Sequence, residues 1–451
     1  MDKMVEFSNL TTELAAGFTT GASVLFNKLP WLKKITLRRG LMAAFLWMVI
    51  HVIVQQRLRY ARMRYLMRKY PFKTRESYRF MTDQQAFEIQ KAILQLEFPF
   101  MALKSLQFAL FRTYGIPTIS SLLARTTEFS DTATAFKRYS DTGVLIGQFM
   151  AFDPSSNRAH EAIVRTKFLH TNYRKTGHIL EDDMLYTLSL FALEPIRFVE
   201  NYEWRELSDL EKCAIGTYWK SLGDALGISY DCLPSGSEIT DVDTSKKKSS
   251  FQDGLHWLEE IRTWSHAYEV EKMKPHLKNK QVADKTTDVL TYALPGFMKP
   301  VGIQLVSFIM DDRLRAAMRY ENPHPVFATL FGILLATRKY FLRYVALPRP
   351  YFLRNDVFTH QPDENGRNYV KIWDAVPYYV KPTIWNRWGP AAWLKRLQGL
   401  PLPGDDGDKY SPQGYDTLDV GPRHFRGKGR PQMEEYRTQL LEKRKGQCPF
   451  H

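Results

Sequence analysis

Residues 136–148, FKRYSDTGVLIGQ, and residues 165–198, RTKFLHTNYRKTGHILEDDMLYTLSLFALEPIRF, decide the fold. Both open as helices. In the first, Arg138 and Thr142 stand one helical turn apart, so their side chains share a face. In the second, His170 shares a face with Ile163, Thr166 and Tyr173. Residues 183–199 are then apolar on nearly every side, which marks a central buried helix. Pro195 predicts a kink or a fresh start near its end. A cation, a hydroxyl and an imidazole placed this way can meet around a buried cofactor.

Helical patterning continues in both directions. Residues 84–110 carry apolar side chains at three- and four-residue spacing, broken at Pro99, and read as two consecutive helices. Gly115, Ile116 and Pro117 close that unit. Residues 207–226 form another helix, with Gly227 as its C-cap. The polar run SGSEITDVDTSKKKSS, residues 235–250, reads as a surface loop. Helices resume at 254–270 and 301–320. Period-two alternation is scarce and no repeat is present, so the fold class is mainly α.

Beyond Pro348 prolines, glycines and tryptophans crowd the chain, which predicts an irregular wrap around the helical core. The division expected is an N-terminal segment (1–40), a membrane anchor (41–56), a helical body (57–347) and a C-terminal extension (348–451). Within the extension, WNRWGPAAWLKRL (385–397) is expected to pack its tryptophans on the core; an interfacial membrane contact is the alternative.

The chain has 451 residues and a formal charge of +15. Its cations crowd both sides of one apolar run, LMAAFLWMVIHVIV at residues 41–54. That placement suits anionic lipid headgroups and argues against nucleic acid as a partner. Fourteen residues fall short of the roughly 20 needed to cross a bilayer unaided. Trp47 and the long flanking cations, which snorkel, favour an anchor nonetheless. The run lies too far into the chain for an ordinary cleaved signal. A single-pass anchor with a cytosolic body is expected. Cys213, Cys232 and Cys448 form no CxxC pair and predict neither a disulfide framework nor a zinc site.

Several chemistries are excluded. His160-Glu161 is followed by Val164 where HExxH needs its second histidine. GxSxG, a strand-to-helix GxGxxG and a P-loop are missing, as is a glycine-flanked thiolate loop. The doublets Asp182-Asp183 and Asp311-Asp312 have Tyr186 and Arg315 at the fifth position, so neither completes DDxxD; helix N-capping is the expected role of both. Of eleven histidines, His178, His324, His360, His424 and His451 lie in turns or irregular sequence. His170, with His160 and His266 behind it, remains as a candidate iron ligand; on the residues alone a satisfied core histidine is the reading favoured over a ligand.

These stretches, with YWKSLGDALGI (218–228) and MDDRLRAAM (310–318), resemble the rubber-oxygenase/MpaB family of haem proteins. The likeness extends through ALFRTYGIPTIS (109–120), VKPTIWNRWGPAAWL (380–394) and the closing CPFH, and is nearest to the family's fungal, membrane-bound branch. It implies a globin-like helical core around haem b, with His170 on the iron and Arg138 and Thr142 as a distal Arg-x-x-x-Thr pair. Latex clearing protein, a bacterial member, has a lysine before that threonine. Asp141 stands there in this chain, so a lysine cap on the iron is not carried over. Asp141 joins Arg138 and Thr142 as a candidate catalytic residue, read either as the partner of Arg138 or as facing solvent.

The chemistry is consistent with those residue types. Neutral imidazole is a good ligand for haem iron. Arginine stays charged and donates hydrogen bonds where negative charge gathers on dioxygen; a threonine one turn away orients it or relays a proton. The resemblance implies an endoplasmic-reticulum oxygenase of secondary-metabolite biosynthesis. With O2 it would cleave a C=C bond in the farnesyl chain of an aromatic polyketide, leaving an aldehyde or acid end. Two other readings stand beside it. A non-redox prenyltransferase or terpene cyclase is disfavoured by the missing DDxxD. A non-catalytic membrane scaffold is disfavoured by Arg138, Thr142 and His170.

Overall fold

The computed structural model describes residues 37–126, 132–236, 239–240, 247–248, 250–444 and 447–450. The fold is mainly helical. Two helices lead in, α1 (Leu37–Arg59) and α2 (Ala61–Lys69). The expected break at Pro99 falls between α3 (Asp83–Ala92) and α4 (Pro99–Thr113), where proline takes the first helical position and loses no hydrogen bond. Then come α5 (Pro117–Arg125), α6 (Thr132–Ala151) and α7 (Asn157–Lys175). The central helix is α8 (Glu181–Tyr202), followed by α9 (Asp209–Leu226). Gly227 caps α9 at φ 68°, as expected.

Helix α8 lies against α4, and α9 packs on α3 and α10 (Gly254–Lys272). The α8–α9 seam is aromatic: Phe191 stacks on Trp219 with centroids 5.2 Å apart. An ion pair ties the layers together. Arg112 of α4 donates to both carboxylate oxygens of Glu269 on α10, at 2.7 and 2.8 Å, and Tyr186 of α8 donates to the same carboxylate at 2.8 Å. All three side chains are buried, so losing one strands the others. Helix α6 packs on α7, and α11 (Leu277–Leu290) closes over α5 and α6.

Several expectations need correction. Helix α8 continues through Pro195 and makes no fresh start there, since packing on both sides outweighs one lost hydrogen bond. Residues 301–320 divide into α12 (Lys299–Ile309) and α13 (Asp312–Met318). Asp311 is the N-cap of α13, as read, accepting from the Leu314 amide at 3.0 Å. The other doublet sits inside the first turn of α8 and caps nothing; Asp183 instead accepts from Thr118 and Tyr268 hydroxyls at 3.0 and 2.7 Å. Most of the 235–250 loop lies outside the described residues, though Ile239–Thr240 and Lys247–Lys248 pair antiparallel.

Helix α14 (Pro325–Tyr344) is an addition that the sequence reading did not single out. Residues beyond 348 wrap the body irregularly, as expected, through two short helices, α15 (Ile384–Trp388) and α16 (Pro390–Leu397). A longer one, α17 (Arg430–Lys443), lies on α7. Trp385, Trp388 and Trp393 are exposed, so the expected packing on the core is overturned. Two helical runs are long and apolar enough to cross a membrane, Arg38–Lys69 and Pro325–Tyr344, and almost nothing in either is buried. The first contains residues 41–54, the run that the sequence reading expects as an anchor.

Candidate haem and oxygen site

One face of α6 carries Ala135, Arg138, Thr142, Leu145, Ile146 and Phe149, spaced at three and four residues. One face of α7 carries Thr166, Leu169, His170 and Tyr173 in the same rhythm. The two faces meet across a cavity that α8, α9 and α11 close with Leu188, Phe191, Trp219, Leu222 and Val289. About 340 Å³ of it is open to the centre of a water-sized sphere, within the range of small-molecule sites. Arg138, Thr142 and His170, which the sequence placed together, all line this one chamber.

His170 is held in one ring orientation. Its Nδ1 lies 2.7 Å from the Thr166 carbonyl one turn back, which fixes the ring and makes Nδ1 the protonated nitrogen. Nε2 is left as the nitrogen with a free lone pair. Burial lowers the pKa of His170, and the Arg138 charge adds to that effect. The imidazole is thus neutral at physiological pH, the state that binds iron. A haem fits these residues: one neutral histidine, an arginine and a threonine, in a chamber otherwise mostly apolar.

The other candidates separate. Asp141 neither pairs with Arg138 nor faces solvent. Its buried carboxylate takes Lys137 Nζ at 2.7 and 2.5 Å and the Tyr379 hydroxyl at 2.6 Å, fastening α6 to the wrap while also bordering the cavity. Burial pushes its pKa up against the pull of Lys137. His160 is buried on α7 near Arg444 and is not among the described lining residues. His266 is exposed on α10.

Sequence reasoning set aside two lining residues, His178 and His424, because each lies in irregular chain. No periodic signal marks them. The wrap brings His424 in through Arg165 of α7, a fully buried guanidinium that donates to the carbonyls of Val420 at 2.7 Å and Phe425 at 3.2 Å. Gly421 sits in that loop at φ 124°, and a Cβ there would lie 3.0 Å from Leu169, so the loop reaches the cavity only with glycine at this point.

No protein-family model matches the chain. Curated relatives do. The chain is 53% identical over 394 residues, 87% of its length, to the ER-bound oxygenase mpaB' of Penicillium brevicompactum, covering 90% of that protein. It is 48% identical over 375 residues to the ER-bound oxygenase mpaB of the same species, covering 83% of this chain and 86% of the relative. The match to mpaB of Penicillium roqueforti is 51% over 321 residues, 71% of this chain and 99% of that one.

Proposed function

The chain belongs to the mpaB family of ER-bound oxygenases, and on that premise we propose a haem-dependent oxygenase that cleaves a C=C bond in a prenyl chain. The substrate class is a farnesylated aromatic polyketide. The bond opens with O2 as oxidant, and the shortened chain ends as an aldehyde or acid.

The observation that carries this reading is the convergence of Arg138, Thr142 and a neutral His170 in one apolar cavity. His170 would hold the iron through Nε2, with the Thr166 carbonyl fixing the ring. The haem would supply the chemistry with dioxygen that side chains do not provide. Arg138 offers fixed N–H donors where negative charge develops. Thr142, one turn along, holds a hydroxyl near the guanidinium to orient it or pass a proton. Leu145, Phe149, Leu188 and Phe191 give a prenyl chain an apolar wall and keep water away. The prenyl-diphosphate alternative wants a carboxylate cluster for magnesium; among the described residues there is no group of three His, Cys, Asp or Glu side chains suited to a metal ion.

Helix α1 is read as the anchor. Its 23 residues extend about 34 Å, so cations at both ends reach the headgroups although the apolar run alone is short. The proposed topology is single-pass, with the body in the cytosol.

The test is an absorption spectrum of the full chain purified in detergent, together with turnover of a farnesylated phenol under O2. A Soret band and a shortened chain with a new carbonyl are expected. Active protein without bound haem would sink the reading.

A further inference from the structure

Helix α14 is built the wrong way round for water. One side packs into the protein, with Phe331 buried and its ring 5.7 Å from Phe308 of α12. The opposite side holds Val326, Leu330, Ile333, Leu334 and Phe341, all exposed, with Leu334 at 65%. Helical spacing puts these five on one stripe, interrupted only by Thr337 and Tyr340. On a water-facing helix that stripe would be charged. The nearby cations turn elsewhere: Arg338 donates to Glu203 at 2.8 Å and lies over the Phe100 ring.

The C-terminal end of α14 is finished without water. Its last carbonyls are taken by side chains of α1: Gln55 donates to Leu342 at 3.1 Å, His51 lies 2.9 Å from the Val345 oxygen, and Arg59 donates to Ala346 at 2.8 Å. Free carbonyls at a helix end need partners, and in lipid the partners must come from protein. This also explains a histidine and a glutamine in and beside an otherwise apolar run. His51, Gln55 and Arg59 of α1 turn toward the end of α14, while Leu41, Phe45, Leu46, Trp47 and Ile50 of α1 are exposed.

A second open surface lies along the same side of α4. Ile384, Trp385, Trp388, Trp393 and Leu397 of α15 and α16 are exposed, Ile384 at 84% and Leu397 at 82%. Arg396 stacks over Trp388 and Trp393 at 4.5 and 5.5 Å, an arrangement suited to a headgroup boundary. Lys395 of α16 donates to the Trp373 carbonyl at 3.2 Å, and the adjacent Asp374 carboxylate accepts from Gln107 of α4 at 3.4 Å. Phe100, which meets α14, and Gln107 lie on one α4 stripe about 10 Å apart, with Leu103 exposed between them. The two apolar surfaces are therefore neighbours.

We propose that the outer face of α14 and the tryptophan pair α15–α16 are embedded in the same bilayer leaflet as the end of α1, as one lipid-facing platform. The proposal rests on reading α1 as the anchor and goes beyond it. Although α14 is long enough to span, we place it along the leaflet, because Arg338, Lys339 and Arg343 leave it only thirteen uninterrupted uncharged residues (325–337). The platform abuts the cavity wall: Gln107 also donates to the Tyr139 hydroxyl, and Tyr139 lines the cavity.

Nitroxide labels placed singly on the full-length chain test this. The labelling positions are Leu334→Cys, Trp393→Cys, Leu46→Cys in α1 and the water-exposed Glu364→Cys, each made with Cys232→Ser and Cys448→Ser. The proteins are reconstituted in phosphatidylcholine–phosphatidylserine vesicles, and collisions with dioxygen and with a water-soluble nickel chelate are compared. Labels at Leu334 and Trp393 should gain oxygen collisions and lose nickel collisions relative to Glu364. Nickel reaching either label while Leu46 stays in lipid overturns the platform and leaves the anchor standing. A label reached by neither agent also overturns it, since that face would then be covered by protein. Nickel reaching Leu46 as well removes the anchor reading itself.

Discussion

His170, Arg138 and His160 are three buried or half-buried polar residues, yet each answers to a different force. His170 is a lone-pair donor held by one carbonyl. His170→Ala should therefore lose haem, or shift its Soret band, with the helical circular dichroism intact; unchanged haem content would send the search to His178 or His424. Arg138 is expected to act on oxygen, so Arg138→Ala should keep its haem. A hydrogen bond to a charged group contributes about 1.5–3 kcal/mol, or roughly one to two decades in turnover, and steady-state rates on a saturating substrate measure it. His160 is a matter of burial. Unfolded it takes up a proton near pH 6.5, while in the fold burial and then the Arg444 charge lower that value. The unfolded state thus binds more protons in the window below 6.5, and stability falls as pH drops through it. His160→Leu should flatten the decline of Tm between about pH 7 and 5; parallel wild-type and variant slopes would show that His160 does not titrate on unfolding.

Among the elements, α9 and α10 depend on a contact that no other residue permits. A Cβ on Gly216 would lie 2.1 Å from the Gly254 carbonyl oxygen, and one on Gly254 would lie 2.3 Å from the Cys213 carbonyl oxygen. The two helices touch backbone to backbone. Gly216→Ala forces them apart, and overpacking of this kind costs about 1–3 kcal/mol. The urea midpoint should drop accordingly, with the slope unchanged; a midpoint equal to the wild type would mean that the helices slide at no cost. Helices with regular apolar spacing, such as α4, α8 and α9, were legible in the sequence because their pattern states which face is buried. Helix α14 was not, because its apolar stripe looks the same whether protein or lipid covers it.

For the molecule as a whole, the question is how the N-terminal helices relate to the body. The sequence reading starts the helical body at residue 57, directly after the anchor. Leu66 and Tyr70 are buried in the core, and Arg62 pairs with Glu97 at 2.5 Å, so a chain starting near Pro71 gives up part of that core. Substitution within the exposed half of α1 avoids this. Arg at the centre of a helix in lipid costs about 2.5–3.5 kcal/mol. Val49→Arg should raise the fraction released from membranes by alkaline carbonate, with the haem spectrum unchanged. A spectrum lost along with retention would make this part of α1 structural.

The sequence by itself determined the helical class, the apolar run of α1 and the shared face of Arg138 and Thr142, because each of these is written in spacing along a single helix; His170 joined that pair through the family resemblance. It left open what depends on residues far apart in the chain. Only the tertiary structure decided that Asp141 meets Tyr379 beside its helical neighbour Lys137, that Arg165 draws the 420–428 loop and His424 to the cavity, and that the tryptophans near 390 face outward. Periodicity reports which side of an element is apolar. What covers that side is set by contacts across hundreds of residues, and a linear pattern carries no record of them.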